Sequence, residues 1–391
     1  MQRPVDTMEA RRKRLAIATG VGLGFAVGWN IANVGAVARS MADAYGVSLA
    51  SVGLLTTALF VVHMAMQIPA GIVVDRFGAR RTGVAAAVAL AAANSLALAA
   101  PNFALGLTAR ALAGVGTGLG FVAGSDYIRA TGGSAVAQGL FGGAGVGGGG
   151  FALAIVPLLE NWLDWRAPFA SSVALAVAAM VLLAFAPAAD RRPPSARRAA
   201  PVRTVLRDPL LYRLAAIHTA SFGLSAVVGN WAVTRLEDAG AGSELAGILG
   251  ASTLAAGLVT RPLGGWLVRR FPDRALALVA SSLAVGAAST LLLALPLPIA
   301  LLGGACLALG LAAGIPFAPA FAGAQRARPD APGAAIGLVN TWAAFAVVVG
   351  TPLVGLSFSL GEAGAAGFVA VAVLWASSLL VLPPQRSLAG L

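Results

Sequence analysis

Two long apolar runs are joined by the segment Gly71-Ile72-Val73-Val74-Asp75-Arg76-Phe77-Gly78-Ala79-Arg80-Arg81. This segment holds two glycines, three arginines and one acidic residue, a composition typical of a tight turn at a polar surface. The apolar runs before and after it are each long enough to cross a membrane as a helix. The segment therefore predicts a hairpin between two membrane-spanning helices.

The overall composition also indicates a membrane protein. Of the 391 residues, 58% are hydrophobic and only 11% are charged, and the mean hydropathy is +0.85. This is too little charge to cover a soluble globule and too much apolar surface to bury inside one. The apolar runs are continuous rather than alternating in polarity, which favours helices over the strands of a membrane barrel. We expect an all-α integral membrane protein.

The net charge of +12 does not indicate nucleic-acid binding, because the arginines are dispersed through short loops. The single cysteine, Cys306, has no partner, so disulfides cannot stabilise the fold. The sequence shows no nucleotide-binding loop, metal-ligand cluster or soluble domain, and we expect neither an enzyme nor a cofactor. The expected partners are a small-molecule substrate and the lipid bilayer, and the expected state is a monomer.

Twelve apolar segments are predicted to cross the membrane, and we number them 1 to 12. They lie at residues 15–38, 53–74, 82–100, 103–126, 135–159, 167–188, 210–236, 245–268, 275–295, 298–323, 333–358 and 366–383. With the N-terminus in the cytoplasm, 22 of the 27 basic residues fall on the cytoplasmic side. This bias predicts a multi-pass protein of the plasma (inner) membrane with both termini in the cytoplasm.

A polar linker at residues 189–209, rich in arginine and proline, divides the chain. An internal repeat supports this division, because a shift of 196 residues aligns Phe121 with Phe317, among other matches. We expect two six-helix bundles, at residues 1–188 and 210–391, joined by a cytoplasmic linker. Such duplicated halves, with a site near the middle of the membrane, are typical of secondary transporters.

The segment at 71–81 resembles the signature G-x-x-x-D-R-x-G-x-R-R of the major facilitator superfamily, where it joins helices 2 and 3 on the cytoplasmic side. The resemblance implies twelve transmembrane helices in two pseudo-symmetric halves that work by alternating access. It also implies a cytoplasmic gate made of Gly71, Asp75, Arg76, Gly78, Arg80, Arg81 and Asp126. In such a gate Asp75 lies near a helix N-terminus of the opposite half, and Arg80 pairs with Asp126. The second-half copy at 265–274 lacks the acid and the second glycine.

A more distant similarity links the chain to nitrate/nitrite and cyanate-type porters. The glycine-rich helix 5, at residues 139–150, is similar to the helix 5 signature of nitrate and nitrite porters. The segment Arg261-Pro262-Leu263-Gly264-Gly265 fits the helix 8 arginine of those porters, but Gln67 stands where their helix 2 arginine is expected. Helix 5 also resembles the antiporter motif of the superfamily, with Ala144 in place of its proline.

Two arginines are predicted within the membrane without an acidic partner. Arg110 begins a segment that resembles the helix 4 motif R-x-x-x-G-x-G of the superfamily, and Arg261 lies in helix 8. All fifteen acidic residues fall in loops or at helix ends. If both arginines face the cavity, its charge is positive and a small anion is the expected cargo. The alternatives are bonding to backbone carbonyls for Arg110 and extension to the membrane surface for Arg261.

Uncharged side chains on helices 1, 7 and 11 are further candidates for substrate binding: Asn30, Asn33, Asn230, Trp231, Asn340 and Trp342. His63 and His218 are the side chains expected to titrate within the membrane near neutral pH, which makes them candidates for proton coupling. The alternative for each of these residues is a hydrogen bond that only joins two helices.

These features together predict a secondary active transporter of a small organic or inorganic anion. Uptake is slightly favoured over export. The alternative is a proton-coupled exporter of a hydrophobic drug or metabolite.

Overall fold

The computed structural model describes residues 3–187, 201–360 and 362–389, and it is almost entirely helical, with no strand in these ranges. The reason is general: a lipid bilayer offers no hydrogen-bonding partners, so a spanning segment must satisfy its backbone internally. The predicted all-α fold is confirmed. Residues 188–200, which form most of the predicted linker, lie outside the described residues, so the boundary at 189–209 stays a prediction.

The first helices in chain order are α1 (Arg3–Ala32), α2 (Ala38–Tyr45), α3 (Leu49–Phe77), α4 (Ala79–Ala97), α5 (Phe103–Ala130), α6 (Ala135–Leu163), α7 (Ala167–Phe185), α8 (Val202–Leu206) and α9 (Pro209–His218). A π-helical segment, Thr219–Leu224, continues α9 into the next helix. The remaining helices are α10 (Ser225–Asp238), α11 (Ser243–Ala255), α12 (Gly257–Arg270), α13 (Ala275–Leu293), α14 (Ile299–Gly314), α15 (Phe317–Ala327), α16 (Pro332–Ser359), α17 (Ala365–Ser377) and α18 (Gln385–Ala389).

Twelve of these helical stretches can cross a membrane. Nine continuous stretches in the described part of the chain are long and apolar enough, and one of them, Ala135–Phe185, is two crossings, because the turn Asp164–Arg166 separates α6 from α7. The helix α4, which has 19 residues and lies outside those nine stretches, and the shorter apolar helix Ala365–Val381 bring the count to twelve. The predicted number of spans is therefore consistent with the structure.

The first span ends earlier than predicted. Residues 15–38 were expected to form one helix, but α1 ends at Ala32. The side chain of the next residue, Asn33, accepts a hydrogen bond from the backbone N–H of Val34 at 2.9 Å. An asparagine that bonds to the neighbouring backbone competes with the helical pattern, which accounts for the break.

The helices form two compact units. The first comprises Met1–Ala137, Ala144–Val202 and Asp330–Gly337, and the second comprises Gln138–Gly143, Arg203–Pro329 and Leu338–Leu391. Within the first unit, α5 packs against α1, α3 and α4. Within the second, α13 packs against α14 and α17, and α10 packs against α11.

Arg235, near the end of α10, stabilises the end of a neighbouring helix. The side chain is buried, and its Nε and Nη2 atoms donate to the carbonyls of Leu293 and Leu295 at 2.8 and 2.7 Å. These carbonyls lie at the C-terminal end of α13, where a helix has no internal donors and its dipole favours a cation. A single arginine thus bonds to two backbone carbonyls at one helix end.

Replacement of Arg235 by alanine is expected to destabilise the second unit by about 2 kcal/mol, because two charge-assisted hydrogen bonds are lost. Thermal unfolding of the purified protein in detergent measures this loss. The matched control is Arg39→Ala, because Arg39 is exposed. Arg235→Lys should restore only part of the stability, since one ammonium lacks the fork that reaches both carbonyls. Equal melting of the two alanine variants would contradict this assignment.

Candidate functional site

Asp75, near the end of α3, accepts two backbone hydrogen bonds. Its two carboxylate oxygens accept from the N–H groups of Gly333 and Ala334, each at 2.9 Å. These N–H groups lie in the first turn of α16, which has no internal acceptors for them and favours negative charge. All three residues belong to the first compact unit. The contact has the form that the family resemblance implies for Asp75.

Geometry requires glycine at both glycine positions of the 71–81 segment, for a different reason at each. A Cβ atom on Gly71 would lie 2.5 Å from the Cα atom of Ala334, so any larger residue would push the start of α16 away. Gly78 has a φ of 87°, a left-handed conformation that favours glycine, and it forms the turn between α3 and α4. The spacing of the signature therefore follows from one close approach and one tight turn.

The expected ion pair between Arg80 and Asp126 is not formed. Arg80 donates from Nε and Nη2 to the carbonyls of Leu183 and Ala184, both at 2.9 Å, and Asp126 accepts from Nε of Arg129 at 2.7 Å. The physical reason is that Arg80 lies beside the last turn of α7, where backbone carbonyls lack internal donors.

The other two arginines of the segment point to the surface. Arg76 and Arg81 are both exposed, and the guanidinium of Arg76 lies over the ring of Phe77, 5.2 Å from its centre. Neither makes an ion pair within the described ranges 3–187, 201–360 and 362–389. Of the residues predicted for the gate, Asp75 and Gly71 are thus the ones that contact the start of α16, and the gate itself stays a prediction.

Arg110 is fully buried in the first unit, where it contacts α1 and α3. Its Nη1 atom donates to Oδ1 of Asn33 at 3.2 Å, and its Nε atom lies 3.4 Å from the carbonyl of Leu55. Asn33 in turn donates to the carbonyl of Pro168 and to the hydroxyl of Ser172, both at 2.8 Å. Arg110 and Asn33, predicted separately, thus belong to one polar cluster.

Two polar atoms of this cluster have no hydrogen-bond partner among the residues that the structure describes: Nη2 of Arg110 and the hydroxyl of Tyr45. Burial raises the pKa of Tyr45 to about 12, although the positive charge of Arg110 acts to lower it. Tyr45 is therefore a neutral hydroxyl near pH 7 and does not compensate the charge of Arg110.

Asn30 lies deeper along α1 and joins α1 to α4. It donates to the carbonyl of Ala26 at 2.9 Å and accepts from Nδ2 of Asn94 at 2.8 Å. Both asparagines are buried. Asn94 had no motif to mark it in the sequence.

Arg261, in the second unit, is held by a backbone carbonyl and two aromatic rings. Its Nη1 atom donates to the carbonyl of Gly142 at 2.6 Å, and its guanidinium lies 4.5 Å from the ring centre of Phe317 and 5.3 Å from that of Phe222. The side chain is 5% exposed. Arg261 is thus buried among its neighbours. The negative faces of the rings stabilise the cation.

His218 lies beside the same rings. Its imidazole is surrounded by Phe222, Phe317 and Phe321, with centroid distances of 5.8, 5.5 and 4.7 Å. Nε2 lies 3.1 Å from Oδ1 of Asn340, a pairing in which Nε2 carries the proton. The other polar atoms, Nδ1 of His218 and Nδ2 of Asn340, have no partner in the described part of the chain. We call Arg261, His218, Asn340 and the three phenylalanines the aromatic cluster.

His63, in contrast, uses both ring nitrogens. Nε2 accepts from the amide of Gln67 at 2.9 Å, and Nδ1 lies 3.0 Å from the hydroxyl of Thr117, which itself donates to the carbonyl of Gly114 at 3.1 Å. This chain of bonds is complete for a neutral imidazole. Protonation of His63 would break the bond from Gln67, because Nε2 could no longer accept.

The remaining candidates make their contacts elsewhere. Asn230 and Trp231 both bond to Thr351, through its hydroxyl at 3.1 Å and its carbonyl at 2.8 Å. Trp342 is 44% exposed and packs edge-on against Tyr212 and Phe345. The sequence analysis thus found two clustered groups of polar residues but missed Tyr45 and the three phenylalanines. Of these, only Phe317 carried a signal, its match to Phe121 in the repeat.

Asp75→Ala is expected to expose the first turn of α16. The N–H groups of Gly333 and Ala334 lose their acceptors, so their hydrogen exchange should accelerate about 10- to 100-fold. Hydrogen-exchange mass spectrometry of the peptide around residues 330–340 measures this change, with the exposed Asp43→Ala as control. The exchange rate in Asp75→Asn should lie between those of Asp75→Ala and the control, since asparagine keeps one uncharged acceptor oxygen. Unchanged exchange in Asp75→Ala would show that the carboxylate does not hold this turn.

Comparisons with known proteins agree with this architecture. The Major Facilitator Superfamily model matches residues 19–351. The fold is similar to that of the human organic anion transporter MFSD10 (TETRAN), with a TM-score of 0.68, 16% identity, and coverage of 94% of this chain and 99% of that one. It is also similar to the proton:xylose symporter XylE bound to 6-bromo-6-deoxy-D-glucose, with a TM-score of 0.72, 15% identity and 95% coverage of both chains. No curated protein sequence matches the chain.

At these identities the solved structures show the fold alone, twelve transmembrane helices in two pseudo-symmetric six-helix halves. The similarity to nitrate/nitrite and cyanate-type porters stays a prediction. The family match covers most of the chain, and the 71–81 signature lies within it. The chain belongs to the major facilitator superfamily, whose members are membrane transporters.

Proposed function

We propose that the protein is a secondary active transporter that carries a small organic anion, a monocarboxylate, across the plasma membrane by alternating access. The observation that carries this proposal is the buried guanidinium of Arg261, which has a carbonyl and two rings around it but no carboxylate. Within the described ranges, neither Arg261 nor Arg110 lies within ion-pair distance of an acidic side chain. A buried cation of this kind is costly unless a counter-charge arrives, and an anionic cargo supplies one.

The aromatic cluster favours a carboxylate over an inorganic oxyanion. A carboxylate has one charged end, which fits a guanidinium fork, while the rest of the molecule can be apolar. Around Arg261 the surfaces are ring faces of Phe222 and Phe317, which carry partial negative charge and repel an anion. An oxyanion needs donors on all sides, whereas an apolar body can pack against these rings. The amide Nδ2 of Asn340 supplies a second donor for the charged end.

The other predicted residues take supporting places in this proposal. Arg110, which donates to Asn33, is a second buried cation, and Asn30 joins α1 to α4. Asn230, Trp231 and Trp342 stay predictions as substrate contacts. The inner gate is reduced to the contact of Asp75 with α16, without the pair of Arg80 and Asp126. Two bundles at 1–188 and 210–391, cytoplasmic termini and a monomeric state belong to the same proposal.

Transport of radiolabelled anions into proteoliposomes tests the cargo. Arg261→Gln is expected to lower kcat/KM for benzoate or propionate by about 10- to 100-fold, because a charge-assisted hydrogen bond to the carboxylate is lost. Arg261→Lys should keep a measurable part of the flux. The matched control is Arg213→Gln, because Arg213 is exposed in the same unit.

Nitrate and sulfate should be carried poorly by the wild-type protein. If nitrate flux exceeds carboxylate flux, the cargo is an inorganic oxyanion instead. Wild-type flux in both Arg261→Gln and Arg110→Gln would show that the buried positive charges do not bind cargo.

The alternative function is proton-coupled export of a hydrophobic drug or metabolite. One observation favours it: the three rings of the aromatic cluster could hold an apolar compound, and His218 keeps one ring nitrogen without a partner in the described residues. His218 is therefore a better candidate for proton coupling than His63, whose two nitrogens are both bonded.

Dye efflux driven by a pH gradient separates the two functions. Under the alternative, efflux persists in Arg261→Gln and loses its dependence on the gradient in His218→Gln. Under the anion proposal, dye efflux is absent from the wild-type protein, and carboxylate flux is lost in Arg261→Gln. A gradient dependence of carboxylate flux that survives in His218→Gln but not in His63→Gln would reverse the ranking of the two histidines.

A further inference from the structure

A groove of about 320 Å³ lies on the second unit, and no residue of the aromatic cluster is part of its lining. Its walls come from α12, α13 and α14: Leu267, Leu278, Ser281, Ser282, Val285, Ala308, Leu311, Ala312 and Ile315. Almost all of this lining is apolar. The hydroxyl of Ser282 is not available, because it donates to the carbonyl of Ala312 at 2.5 Å. Val285 and Leu311 are 44% and 48% exposed, so the groove opens toward the surrounding medium.

One end of the groove carries a basic cluster. Arg269 and Arg270 end α12, two and three residues beyond the lining residue Leu267, and Arg274 lies one turn before Leu278. All three arginines are exposed. Gln385 donates to the carbonyls of Pro272 and Asp273, which holds the exposed Arg386 at the same end. The single acid in the connection is Asp273, and none of these arginines makes an ion pair within the described ranges.

Two exposed aromatic side chains lie beside these arginines in the chain. Trp266 and Phe271 are 45% and 38% exposed, and their rings meet edge-on at 6.4 Å. The guanidinium of Arg270 lies 5.2 Å from the ring centre of Phe271. Exposed tryptophan beside arginine is typical of the boundary between hydrocarbon and headgroups. The groove therefore lies at acyl-chain depth, with the basic cluster at headgroup depth.

We propose that this surface is a binding site for an anionic phospholipid. The phosphate lies against Arg269, Arg270 and Arg274, and one acyl chain lies in the groove. From Leu278 to Val285 the groove follows α13 for about 10 Å, the length of roughly eight methylene groups. Basic clusters next to transmembrane helices attract anionic headgroups, and the adjoining groove adds apolar contact. The site is separate from the proposed cargo site and does not depend on it.

Native mass spectrometry of the full-length protein, titrated with phosphatidylglycerol or phosphatidylcholine, tests this site. Wild type should bind phosphatidylglycerol with clear preference, and the triple variant Arg269→Gln, Arg270→Gln, Arg274→Gln should lose about 100-fold of that affinity. The matched control replaces the exposed Arg203, Arg207 and Arg213 by glutamine and should bind as wild type. Ala308→Phe, which fills the groove, should weaken binding while the arginines remain.

A second arm needs no variant: glycerophosphoglycerol, which has the headgroup but no acyl chains, should not compete for the site. The proposal is wrong if the triple variant binds as the control does, or if both lipids bind equally to the wild type. It is also wrong if Ala308→Phe binds phosphatidylglycerol as tightly as the wild type does and glycerophosphoglycerol competes for the site. Binding would then depend on surface charge alone. Thermal unfolding of each variant in phosphatidylcholine shows that the fold is intact.

Discussion

Every helix leaves backbone N–H groups and carbonyls without partners at its two ends, and this constraint accounts for several of the buried side-chain contacts of the protein. Arg80 and Arg235 bond to carbonyls at the ends of neighbouring helices, and Asp75 bonds to N–H groups at the start of another. These contacts satisfy backbone groups that every helix leaves open. Asn30 and Asn33 satisfy polar side chains in a similar way: Asn30 accepts from the amide of Asn94, and Asn33 donates to the hydroxyl of Ser172. Among the residues that the structure describes, eight buried side-chain polar atoms have no hydrogen-bond partner, and four of them lie beside Arg110 or within the aromatic cluster, on Arg110, Tyr45, His218 and Asn340.

The family and the number of helices could be predicted from the sequence because both depend on local patterns. The length of apolar runs reports the bilayer thickness, and the 71–81 signature encodes one turn and one close approach within a few residues. The end of α1 was placed too late, because the apolar run continues past Asn33, and hydropathy does not reveal the side-chain bonds of Asn33 to Val34 and to α7. The pairing of Arg80 with Asp126 failed for the same reason: the carbonyls of α7 are nearer, and no local pattern reveals which helix end lies beside an arginine.

The candidate site was predicted only in part. Arg261, His218 and Asn340 were each marked by their chemistry, since a charged or polar residue in an apolar run is unusual. Their assembly into one cluster depends on Phe222, Phe317 and Phe321, which look like ordinary packing residues in a membrane helix. The two histidines had equal standing in the sequence. Only the completed bonds of His63 and the open nitrogen of His218 separate them.

The bond between Arg261 and the carbonyl of Gly142 has a consequence for speed. The carbonyl takes up one of the five N–H donors of the guanidinium, so the proposed carboxylate cargo would bind through the donors that remain, to a cation that is already partly stabilised. The aromatic faces reduce the gain from this binding further, because they already stabilise the cation. For the proposed carboxylate cargo we therefore expect moderate affinity with rapid dissociation. A carrier that must release what it binds in every cycle works faster with such a site than with one that holds its cargo tightly.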